Sequence, residues 1–158
     1  MQIRSTIFAT ALVLAACTAP QEGAAPAEQA PPQESVDQVT AAIEAVYVGF
    51  GDAFLTGEVA EMVQASYTPD AKLHPPESGP VEGHEAITAA IAGMVEAGIK
   101  ITAAPDYVEV FGDAAFEYGI GELTLPDGAV THLAYVVLWK KHDGTWKMHR
   151  DFISGTIP

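Results

Sequence analysis

The chain has 158 residues and a formal net charge of −14, from 21 acidic against 7 basic side chains, with a single cysteine. That balance argues against nucleic acid as a partner, because phosphate binding needs clustered Lys and Arg to release counterions. One cysteine excludes an internal disulfide, and the length suits one ordinary domain preceded by a leader.

The amino end carries one positive charge at Arg4, then a short apolar run from Ile7 to Leu14. This is the layout of a signal peptide over residues 1–16, and the run is far below the roughly 20 residues a permanent membrane-spanning helix needs. It closes on Leu14-Ala15-Ala16-Cys17, which resembles the bacterial lipobox. The resemblance implies cleavage before Cys17 and a lipid on its thiol, and so a membrane contact made through the anchor alone. A multiply acylated terminus holds stably where a single chain does not. Thr18 follows the cysteine, where in Gram-negative lipoproteins Asp favours retention in the inner membrane. The expected address is therefore the cell envelope, on the outer membrane facing the periplasm.

Residues 18–35 contain no large apolar side chain and several prolines. With Cys17 they are expected to form a solvated tether, because such a segment buries too little surface to offset its ordering entropy. Fully extended it reaches roughly 60 Å. Residues 36–158 form the domain.

Within it, Val36, Val39, Ile43, Val46, Tyr47, Phe50 and Phe54 recur at steps of three and four, which predicts a helix with Ser35 or Asp37 at its start and Gly57 at its end. Val59, Met62, Val63 and Tyr67 predict a second, short helix, followed by a strand over Ala71–His74. A third helix is expected from near His84, carrying Ile87, Ile91, Met94 and Val95 as far as Gly98. Strands are then expected over 99–111, 114–125, 129–141 and 145–154, separated by Gly112-Asp113, Pro126-Asp127-Gly128 and His142-Asp143-Gly144. Asp-Gly between β-rich runs is a strong hairpin signal. Helices followed by an antiparallel meander define an α+β fold, with three N-terminal helices packed on one face of a curved sheet.

The ordered set Tyr67-Thr68-Pro69-Asp70-Ala71, Gly83-His84-Glu85-Ala86-Ile87, Asp143-Gly144-Thr145-Trp146-Lys147-Met148 and Arg150-Asp151 resembles the nuclear-transport-factor-2-like superfamily with its cystatin-like architecture. Within it, the likeness is to the small SnoaL-like domains. The resemblance implies a cone whose pocket opens at one end, and dimerisation through the outer sheet face. The superfamily includes ketosteroid isomerase, polyketide cyclases and dehydratases as well as pockets without chemistry, so the fold does not supply the function. Measured against the isomerase pattern, its general base falls at Pro75 and its two oxyanion donors fall at Phe50 and Val136. None of these can do that work, since an enolate needs a base near its proton and donors near its oxygen.

The same alignment with period-two alternation puts Tyr118, Ile120, Glu122 and Thr124 into the cone from one strand, and His132, Ala134, Val136 and Leu138 from the next. His149, Asp151 and Ile153 follow from the last strand, while Tyr47, Phe50 and Phe54 close the pocket from the first helix and His74 stands near the mouth. A mostly apolar set with a few polar groups suits a small apolar or amphipathic ligand. The chemical candidate is Asp151 orienting His149 or His132 as a general acid or base in a cofactor-free isomerase, dehydratase or cyclase. No metal is expected, because the five histidines are dispersed and no close ligand pair appears. Trp139 and Trp146 flank the last hairpin and are read as packing residues.

Overall fold

A computed structural model describes residues 34–157; Cys17, the leader and almost all of the tether lie outside the described residues. The first helix, α1 (Val36–Thr56), starts at a capping box in which the Ser35 hydroxyl accepts from the Gln38 N–H and the Gln38 side chain accepts from the Ser35 N–H. It stops at Gly57, whose left-handed φ of 81° lets its N–H reach back to Ala53 O. Val39 and Ile43 are its fully buried residues. The remaining elements are α2 (Val59–Ser66), β1 (Tyr67–His74), β2 (Val81–Glu82), α3 (Gly83–Glu96), β3 (Lys100–Thr102), β4 (Tyr107–Phe111), β5 (Ala114–Thr124), β6 (Val130–His142) and β7 (Thr145–Ile157).

One sheet runs in the order β2-β1-β7-β6-β5-β3, with β4 also paired to β5. Its pairings are antiparallel except β1 on β7, which is parallel. The fold is therefore the expected α+β arrangement of three helices on a strongly curled sheet. Val39, Ile43, Val63 and Ile87 from the helices meet Leu133, Val137, Trp139 and Met148 from the sheet in one core. Both tryptophans belong to it, Trp139 at 0% and Trp146 at 3% exposure.

Two details depart from the sequence reading. The run 99–111 is divided, β3 pairing with the end of β5 (Lys100↔Thr124) and β4 with its start (Phe111↔Ala114). Pro105 lies in the gap, where a residue without an N–H cannot continue a ladder. Tyr67 does not belong to the second helix; it opens β1 and is almost wholly buried. At the β6–β7 turn both Asp143 (φ 50°) and Gly144 (φ 79°) are left-handed, as a two-residue hairpin of the primed type demands.

Candidate functional site

Strand alternation fixes which side chains enter the cone, and on β5 and β6 it does so one residue away from expectation. Ala115, Glu117, Gly119 and Gly121 on β5 and Leu133, Tyr135, Val137 and Trp139 on β6 are the buried set. Tyr118, Ile120 and Glu122, like His132, are exposed on the opposite face; Val136, Ala134 and Leu138 share that face, half-buried. A one-residue slip moves every side chain of a strand to the other face. The register also shows why the alternation misled. The outward set is as apolar as the inward one, whereas the inward set contains glycines and a glutamate.

Those glycines are required by what lies over them. A Cβ at Gly119 would overlap the Tyr135 hydroxyl and stand 2.8 Å from Ala104 O, and one at Gly121 would come within 3.2 Å of Leu133. The large residues of β6 thus reach across the bare backbone of β5.

On β7 the inward residues are Met148, Asp151 and Ile153, because a bulge at His149 resets the alternation: Trp139 pairs with Met148 and Leu138 with Arg150, leaving His149 unmatched. His149 is buried but serves the β1 edge rather than the cavity. Its Nδ1 lies 3.0 Å from Thr68 Oγ1 and 3.2 Å from Arg150 Nη1. Burial, then the Arg150 and Lys140 charges, hold its pKa below the usual histidine value, against a smaller opposing pull from Asp70. A neutral ring accepting at Nδ1 fits that arrangement. Arg150 is likewise committed, its Nη1 donating to Asp70 O at 3.1 Å and to His149 O at 2.6 Å. The expected pairing of Asp151 with His149 or His132 is not formed. His74 is corrected as well: it stacks on Phe152 at 4.2 Å on the outer face and does not line the cavity.

The cavity itself is about 70 Å³, enough for several water molecules or a small organic molecule and too narrow for a steroid in this conformation. Tyr47, Phe50 and Phe54 line it from α1, and Ile91 and Met94 from α3. Leu73, Ile101, Ala103 and Leu133 add aliphatic wall, with Tyr67, Tyr135, Asp151 and Ile153 completing it. Phe50 packs against Tyr67, and Tyr47 against Tyr135 and Trp139, all at ring separations of 6.0–6.1 Å.

Two carboxyl groups belong to this region, and their surroundings differ. Asp151 is 7% exposed, and the Tyr67 hydroxyl donates to its Oδ2 at 2.8 Å. Burial raises its pKa to about 6, with Glu117 adding to the rise and the Tyr67 hydrogen bond opposing it. Glu117 is fully buried behind the wall. Its Oε2 accepts from Tyr47 Oη at 2.9 Å and Trp139 Nε1 at 2.6 Å, while its Oε1 lies 2.9 Å from Tyr135 Oη. Tyr135 also donates to Ala104 O at 2.8 Å. A phenol has one proton and a backbone carbonyl has none. The single Tyr135 proton is therefore shared between Glu117 Oε1 and Ala104 O, and Glu117 takes hydrogen bonds from three side chains. Burial, the largest influence on Glu117, raises its pKa, against the lowering pull of those three hydrogen bonds. Sequence reading missed this group because a lone Glu between apolar strand residues looks like an outward-facing one.

Among the described residues no group of three His, Cys, Asp or Glu is placed to hold a metal.

Three helices on a strongly curled, half-barrel sheet make this the nuclear-transport-factor-2-like, cystatin-like α+β fold. The family model described as the SnoaL-like domain matches residues 47–149, and the chain belongs to that family. No curated protein matched the chain. Among solved structures, it is similar to an NTF-2 like protein of unknown function from Shewanella oneidensis, at 17% identity and a TM-score of 0.63, over 73% of this chain and 98% of that one. A protein of unknown function with a cystatin-like fold from Nostoc punctiforme is similar at 14% identity and a TM-score of 0.64, over 80% and 95%. A ketosteroid isomerase-like protein from Erwinia carotovora atroseptica is similar at 24% identity and a TM-score of 0.59, over 77% and 98%. At these identities the likeness is one of fold.

Proposed function

We propose that this domain is a ligand-binding module that holds a small, largely apolar molecule in its cavity, with Asp151 and Tyr67 as the polar anchor. The observation that carries this reading is a buried carboxylate with one neutral donor, set in a wall otherwise built of aromatic and aliphatic side chains. Native mass spectrometry of the protein extracted from its own membrane tests it. The wild type retains a small molecule that Ala103→Trp, which fills the cavity, releases; identical spectra for the two proteins would count against binding there.

A second reading is favoured by the proton affinity of Asp151. A carboxyl titrating at about 6 can take and return a proton near neutral pH, as an isomerase, dehydratase or cyclase requires. In this form Tyr67, rather than a histidine, orients the acid. Turnover of a candidate substrate that survives Asp151→Asn would dismiss it.

The domain works, in this proposal, outside the cytoplasm on a lipid carried by Cys17, at the periplasmic side of the outer membrane. The support is the sequence Leu14-Ala15-Ala16-Cys17 after a short apolar run. Cys17→Ser should move the mature protein from the membrane fraction to the soluble one. A second copy of the chain is proposed to cover the outer sheet face. There His74, Phe152, Val136, Tyr118 and Tyr107 are register partners in one row across five strands, and Phe152, Tyr118 and Tyr107 are 44%, 39% and 53% exposed.

A further inference from the structure

We infer that the ligand of this cavity is a small organic cation, a protonated amine bearing an apolar group, whose ammonium donates to Asp151 while its hydrocarbon part lies against Tyr47, Phe50 and Phe54. The inference rests on the cavity being a ligand site and adds the chemistry of what it selects.

Among the residues that line the cavity, Asp151 is the one acidic or basic side chain. Tyr67 satisfies Asp151 Oδ2 and brings no charge. The nearest basic side chains on the strand are committed elsewhere: Arg150 to the backbone of Asp70 and His149, and His149, itself neutral, to Thr68. None of the salt bridges among the described residues involves Asp151. A buried carboxylate without a cation is strongly disfavoured, and the unfilled demand is for positive charge together with hydrogen-bond donors. An ammonium supplies both.

The wall supplies the second attraction. Faces of aromatic rings draw cations through the ring quadrupole, most strongly where water is excluded. Tyr47, Phe50, Phe54, Tyr67 and Tyr135 all border the space that Asp151 borders. An anionic ligand would be set beside the Asp151 charge with no side-chain cation to offset it. A neutral alcohol would donate one hydrogen bond and leave the charge uncompensated.

Access points the same way. A second depression between α1 and β3 shares Tyr47, Ile101 and Ala103 with the cavity and has Glu44 on its rim. A cation approaching a chain of net charge −14 is drawn in, and Glu44 places a further carboxylate on this side of the domain. The pKa of Asp151, about 6, leaves it mostly ionised at pH 7.5 and so ready to pair.

Titration calorimetry at pH 7.5 with propylamine, 1-propanol and propionate, which share one short alkyl group, suit a cavity of about 70 Å³ and differ in charge, tests the selection. Propylamine is expected to bind at least tenfold more tightly than propanol, with propionate weaker than both. Asp151→Asn should bring propylamine down to the alcohol's affinity while still unfolding cooperatively in urea, which guards against reading a misfolded variant as a lost site. Glu122→Gln, which removes a carboxylate from the outer face, should keep the amine preference. If propanol binds as tightly as propylamine, or Asp151→Asn keeps the preference, the cation inference is overturned while the ligand-binding reading stands. If none of the three binds, both are overturned.

Discussion

Tyr135 Oη stands 2.9 Å from Glu117 Oε1 and 2.8 Å from Ala104 O, its one proton shared between the two acceptors. An acid held in this way has a close mimic. In Glu117→Gln the amide N–H donates to Tyr135 and the amide oxygen accepts from Tyr47 and Trp139. Stability of that variant in urea is expected within about 1 kcal/mol of wild type, whereas Glu117→Ala strands buried donors and should cost about 3 kcal/mol or more. A glutamine variant as unstable as the alanine one would show that Glu117 is ionised.

Asp151 gives a prediction with a sign. Its carboxyl has a folded pKa of about 6 against an ordinary value of 3.8, so the folded state binds the proton more tightly than the unfolded state does. Its contribution to stability is therefore greatest below about pH 4, falls as pH rises to about 6 and is level above that. Of the groups around it, Tyr67 on β1 holds its proton throughout this range, its pKa pushed up by burial, and Glu117 on β5 is the acid whose charge adds to the Asp151 shift. At pH 7.5 the ionised acid costs the empty protein ~2–3 kcal/mol. Asp151→Asn should thus unfold at higher urea than wild type at pH 7.5, and the gap should close towards pH 4. A gap that does not change with pH would refute the assignment.

Gly119 is expected to tolerate no side chain. Gly119→Ala must displace the Tyr135 hydroxyl and the backbone at Ala104 together, since the new Cβ meets both. Overpacking of this kind costs about 1–3 kcal/mol. Loss of the Tyr135 bond to Ala104 should also appear as faster hydrogen exchange in β5. Gly112→Ala is the comparison for backbone strain alone, as its Cβ would meet nothing although its φ of 63° is left-handed.

On the outer face, Phe152→Asp should convert a dimer to a monomer in sedimentation experiments without loss of folding, because its side chain makes no contribution to the buried core. A wild-type protein that sediments as a monomer at high concentration would remove the proposed second copy.

The helices and hairpins were legible because their signals are local. Apolar residues at steps of three and four mark α1, and Asp-Gly marks the turn after β6. The cavity was legible in part. Tyr47, Phe50 and Phe54 lie on the helix face that also buries Val39 and Ile43, so one periodicity locates them all. Strands β5 and β6 were not, since neither face of the sheet is polar enough to set the register. The bulge at His149 is a matter of one residue in thirteen, and no period announces it. Glu117 was hidden for a different reason: its partners Tyr47, Tyr135 and Trp139 stand 70, 18 and 22 residues away, and only the folded chain gathers them.

The first described residue has a mechanical consequence. Glu34 Oε2 accepts from Lys141 Nζ at 2.8 Å and from Trp146 Nε1 at 2.9 Å, which fastens the entry of the chain to the β6–β7 hairpin. A pull arriving from upstream meets this clasp before it meets α1. The load passes into a pair of strands that share a long ladder, and the capping box at Ser35 stays slack until the clasp gives way. The helix that carries Tyr47, Phe50 and Phe54 is thereby shielded from a pull on the chain ahead of Glu34, and the cavity keeps its shape.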